Sequence, residues 1–126
     1  MLIALLVFLL SGGSSGTSPM IAYVDQAREH AKKEFTVEAQ RKAVLDTLDD
    51  MKKVQGEFIE VEEKAAKTLI KLAVNRDSKP ADFQPTIVAL RTDAMETQEK
   101  LIRLRFRLKS QMTREQWAAV HQLADH

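Results

Sequence analysis

The sequence predicts an all-α protein: a long antiparallel helical hairpin with a short C-terminal helix, preceded by a signal-like N-terminal segment. Three observations carry this. From Val44 to Leu72 apolar residues recur at steps of three or four that average 3.5 residues, the period of helices packed side by side. Charged residues make up 29 % of the chain, whereas Gly and Pro number four and three, a composition of long solvated helices rather than strands and turns. Two of the prolines, Pro80 and Pro85, lie in an Asn/Asp/Ser-containing segment that ends any helix entering it.

In chain order, Leu2 to Leu10 is an unbroken apolar run, followed by small and turn-forming residues from Ser11 to Pro19. The run is too short to cross a bilayer, which takes roughly 20 residues, but it suits the hydrophobic region of an export signal followed by a flexible tether. Leu10-Ser11-Gly12 has the form of the segment before a lipoprotein cysteine, with Gly13 where the acylated cysteine would stand, so lipidation there is excluded. The expected organisation is a signal and tether over 1–19 and a helical-hairpin domain over 20–126. The expected location is the periplasm or cell envelope.

Met20 to Glu34, with Ile21, Val24, Ala27 and Ala31 on one side, reads as a weakly amphipathic helix. Thr36 is the expected N-cap of the long helix, with Glu38 in its first turn, and the helix runs to about Val74. Its seam is Val44, Leu48, Met51, Val54, Phe58, Val61, Ala65, Leu69 and Leu72. Gly56 leaves the seam intact and reads as a close-approach point or a slight bend. The loop is expected over 75–85, and the return helix from Gln84 or Pro85 to about Lys109. A fold about residue 80 would set Glu57 and Glu60 near Lys100 and Arg103. Leu48, Phe58, Leu69, Leu90 and Leu101 are the expected buried residues. Thr113-Arg114-Glu115-Gln116 opens the last helix as a capping box, in which Thr113 and Gln116 satisfy each other's backbone N–H groups.

Nineteen basic and eighteen acidic residues nearly cancel, so no global field favours nucleic acid. Cysteine is absent, which removes disulfides, thiol catalysis and cysteine metal sites. No glycine-rich phosphate loop and no clustered nucleophile and base occur, so an enzyme is not expected. No cofactor is expected either. The one metal candidate is the set His30, Glu34, His121 and Asp125, in which each His has a carboxylate four residues on. It would hold zinc or another divalent cation only if the two terminal regions met, or if a dimer combined two pairs.

The basic run Arg103, Arg105, Arg107, Lys109 and Arg114 is interleaved with Leu104, Phe106 and Leu108. Such a mixture of cations and apolar area suits an unfolded or acidic polypeptide, or a partner helix. Arg103, Arg105, Phe106, Arg107 and Arg114 are the candidate client-binding residues, in a homodimer.

Met112-Thr113-Arg114-Glu115-Gln116 resembles the Leu-Thr-x-x-Gln signature of the Spy and CpxP group of periplasmic proteins, with Met in place of Leu. Phe35-Thr36-Val37-Glu38-Ala39-Gln40 resembles a second copy with one extra residue. The resemblance covers roughly 36–126. It implies an all-helical hairpin that dimerises into a cradle and holds unfolding clients without ATP, or an envelope-stress or metal-responsive relative in which His30, Glu34, His121 and Asp125 would be the ligands. The alternative class is a structural coiled-coil subunit of an envelope assembly.

Overall fold

The computed structural model describes the chain from Ser18 to Ala124, and its side chains as far as His121. The signal-like segment and tether lie outside the described residues. Four α-helices follow one another: α1 (Pro19–Glu34), α2 (Glu38–Val74), α3 (Pro80–Ser110) and α4 (Arg114–Ala124). Among the described residues there is no strand, and no helix is long and apolar enough to cross a membrane.

The start of α1 follows from Ser18-Pro19. The Ser18 hydroxyl accepts the Ile21 N–H at 3.1 Å, and Pro19 occupies a first-turn position where its missing N–H would have had no helical partner. Lys32 and Lys33 lie in the last turn, complementing the helix dipole. Phe35 is extended (φ −88°, ψ 107°) and donates its N–H to the Ala31 carbonyl. Its ring is buried.

Helix α2 begins two residues beyond the expected cap. The Val37 carbonyl accepts the Arg41 N–H at 2.9 Å, so Thr36 falls outside the first turn and does not cap it. A Cβ added at Gly56 would meet no atom within 4 Å, so this glycine is not a close-approach point. Gly56→Ala should therefore raise the unfolding free energy by about 0.5–1 kcal/mol, through helix propensity and unfolded-chain entropy alone. A denaturant titration showing a loss would mean that the position must bend.

The turn between α2 and α3 is five residues, 75–79, rather than the expected eleven. Asn75 Oδ1 accepts the Asp77 N–H at 3.1 Å, a local turn typical of Asn. Helix α3 starts at Pro80 because Lys79-Pro80-Ala81-Asp82 is itself a helix opening. Proline sits at the first helical position, and Asp82 Oδ2 accepts the Lys79 N–H at 2.8 Å. Pro85 lies inside the helix, where it withholds an N–H from the Ala81 carbonyl. The earlier start brings Phe83 into the core, which explains why the helix extends across Pro85.

The chain divides into two compact units that share α2 and α3. In Gly56–Gln98 the buried cluster is Ala66, Leu69 and Phe83, with Leu72, Ile87 and Leu90 packed against it. The other unit, 18–55 with 99–124, contains α1, α4 and the remaining parts of α2 and α3. Its core is Val24, Ala27, Ala31, Phe35, Val44, Leu48, Met51, Leu104, Leu108 and Val120. Leu48 and Leu69 are buried as expected, whereas Phe58, Leu90 and Leu101 are half-buried. The ion pairs among the described residues are Arg28–Asp49, Lys32–Glu29, Lys52–Asp25 and Arg107–Asp50.

Candidate functional site

The second unit holds every described residue that the sequence nominates, beginning with the polar link between its two motif-like segments. At the start of α4 the capping box forms: Thr113 Oγ1 accepts the Gln116 N–H at 3.1 Å, and Gln116 Oε1 accepts the Thr113 N–H at 2.9 Å. The same Oε1 accepts a second bond, at 2.7 Å, from Gln40 Nε2, which also donates to the Gln111 carbonyl at 3.0 Å. Gln116 Nε2 returns a longer bond of 3.4 Å to Gln40 Oε1. Thr47 is buried; its hydroxyl lies 2.9 Å from Gln111 Oε1 and 3.0 Å from the Ala43 carbonyl, and its single proton serves one at a time. The two glutamines of the motif-like segments, 76 residues apart, are thus hydrogen-bonded to each other.

Gln116→Ala should cost about 1–3 kcal/mol, because it removes half of the capping box and a partner of the half-buried Gln40 amide. A double-mutant cycle with Gln40→Ala should give a coupling of about 0.5–3 kcal/mol. Additive losses would mean that the glutamine pair contributes nothing of its own.

Arg103, Arg105, Phe106, Arg107 and Arg114 are all exposed. Leu104 and Leu108, which the sequence interleaves with the arginines, belong to the core; the helical twist carries them to the opposite side. The exposed apolar atoms come instead from Phe106, 56 % exposed, and Ile102, 54 % exposed. Ile102 was not singled out in the sequence, although its i, i+4 spacing to Phe106 puts both on one face. The Arg105 guanidinium lies 5.4 Å from the Phe106 ring centroid and 5.3 Å from that of Trp117, within the range of cation–π attraction. Arg107 is partly neutralised by Asp50 at 3.2 Å.

Of the metal candidates, His30 makes an edge-on contact with Phe35 at 6.1 Å between ring centroids. Glu34 is exposed. The His121 ring lies 4.1 Å from Trp117 and 5.7 Å from Tyr23, and its Nδ1 is 2.8 Å from the Trp117 carbonyl. That carbonyl can only accept, so Nδ1 carries the proton. Tyr23 and His30 are two turns apart on α1, roughly 10 Å along the axis, so the two imidazoles do not come together within one chain. Asp125 lies outside the described residues. Among those that are described, no group of three or more His, Asp or Glu side chains is placed to hold a metal ion.

No family model, curated protein or solved structure matches the chain. What the unit could do therefore rests on its own chemistry. An open concavity of about 270 Å3 is lined by Met20, Tyr23, Met51, Leu101, Ile102, Arg105 and His121. Burial raises the pKa of the Tyr23 phenol, and the Arg105 charge offsets part of that rise.

Proposed function

We propose that the chain is an exported, ATP-independent chaperone of the Spy and CpxP type that holds unfolded or acidic polypeptide on the α3–α4 face of its second unit. The observation that carries this is the exposure of Ile102 and Phe106 on α3 among Arg103 and Arg105, with Arg114 exposed at the start of α4. Cations attract an acidic or unfolded chain from a distance, and apolar atoms retain it once captured. The bond between Gln40 and Gln116 supports the reading that the two motif-like segments act as a pair. Homodimer formation belongs to the same proposal.

The test uses tagged full-length chain recovered by cell fractionation; recovery solely from the cytosol would count against export. Wild type should suppress aggregation of an unfolding model client, less well at high salt but still measurably, since screening weakens only the electrostatic part. Exchange of Arg103, Arg105 and Arg107 for Glu should abolish most of the suppression while helix content is kept. Equal suppression by the triple variant would defeat the assignment of this face.

A second reading, a structural coiled-coil subunit, is favoured by one feature of α3. Val88, Met95 and Ile102 are exposed and seven residues apart, the spacing of a seam that takes another helix. Under that reading the isolated chain should aggregate and should not suppress client aggregation.

A further inference from the structure

We infer that the concavity between α1, α2, α3 and α4 in the second unit is a binding site for a carboxylate carried on a small apolar body. This shares Ile102 and Arg105 with the proposed client surface but does not depend on that reading. Met20, Met51, Leu101 and Ile102 supply an apolar lining, while Tyr23, Arg105 and His121 supply the polar groups. None of the seven lining residues is acidic. Arg105 has no carboxylate partner among the described residues; its guanidinium lies within cation–π range of the Phe106 and Trp117 rings instead. A planar guanidinium at the edge of an apolar recess is the geometry that accepts a carboxylate in two parallel hydrogen bonds.

The phenol of Tyr23 remains a donor, since burial keeps it protonated above the ordinary tyrosine range. His121 is fixed by its bond to the Trp117 carbonyl, so its ring forms a rigid wall. A volume of about 270 Å3 is just below the usual small-molecule range of roughly 300–1,000 Å3, which suits about ten non-hydrogen atoms. Octanoate and 4-phenylbutyrate have that size and chemistry. The C-terminal residue of a polypeptide, Leu or Phe with its free carboxylate, offers the same groups.

Trp117 is the sole tryptophan of the chain and touches both Arg105 and His121, so its emission reports occupancy. Titration of the full chain with octanoate should give a saturable change. Affinity should fall at least about tenfold in Arg105→Gln, the loss expected for a charged hydrogen bond. It should fall similarly in Ile102→Glu, which keeps Arg105 but sets a like charge at the recess. Arg91→Gln, on the part of α3 in the other unit, should bind as wild type does. Circular dichroism checks that each variant keeps its helices. A peptide ending in free Leu that binds more tightly than octanoate, while its C-terminal amide does not bind, would assign the source to a polypeptide end, and octanoate binding more tightly than the peptide would assign it to a free acid. Octanol binding as tightly as octanoate, an unaltered affinity in Arg105→Gln, or no saturable change with either acid or peptide would overturn the site. Client aggregation is not part of this measurement, so it can fail while the chaperone reading stands, and the reverse.

Discussion

Leu48→Ala should lower the unfolding free energy by about 2–5 kcal/mol. Leu48 is 1 % exposed and sits in the larger of the two apolar clusters, so truncation removes both its transfer energy and the contacts of the walls left behind. The spread reflects how far those walls can collapse, and Ala27 and Ala31 leave them little bulk to move with. Val74→Ala provides the control, because Val74 is exposed at the end of α2 and should change stability by no more than about 0.5 kcal/mol. Chemical denaturation of both variants decides the matter. A loss at Leu48 as small as that at Val74 would show that the 3.5-residue seam is misplaced.

Phe83→Ala should have the other large effect, and a more local one. Truncating an enclosed phenylalanine costs about 3–5 kcal/mol, and Phe83 is one of three residues in the buried cluster of its unit. Little apolar burial would remain there to offset the entropy of ordering the hairpin turn. Hydrogen exchange should therefore show lost protection within 56–98, while amides around Leu48, Leu104 and Leu108 keep theirs. Protection lost evenly along the chain would mean that the two units open as one.

The long helices were legible because their signal is repeated: nine seam positions on α2 agree, and no single residue decides the outcome. Helix starts depend on one or two residues each. Thr113 and Gln116 form the capping box that their spacing promised, but Thr36 does not cap α2. Pro80 looks the same in sequence whether it ends a loop or opens a helix; what distinguishes the cases is the Asp82 carboxylate on the Lys79 N–H and the burial of Phe83.

The arginines of the candidate site were visible as a run, yet which apolar neighbours are exposed was not. Leu104 and Phe106 are equivalent in a linear reading and opposite on the helix. Ile102 becomes part of the recess only because Tyr23 and His121, distant in sequence, pack beside it. The link between Gln40 and Gln116 was hidden for the same reason. Gln116 serves its own helix start locally, Gln40 does not, and only the assembled unit joins them.

The way the units are threaded sets an order of assembly. Residues 56–98 are contiguous in the chain, whereas the other unit combines 18–55 with 99–124, closing a loop whose entropic cost must be met before its long-range contacts form. A chain emerging N-terminus first can close the hairpin around its five-residue turn while its C-terminus is still enclosed. The surface carrying Arg105, Phe106 and Arg114 is incomplete until α4, which begins at Arg114, has emerged. A nascent copy would thus lack the face proposed to hold clients, and could not trap its own unfolded segments there before its synthesis was complete.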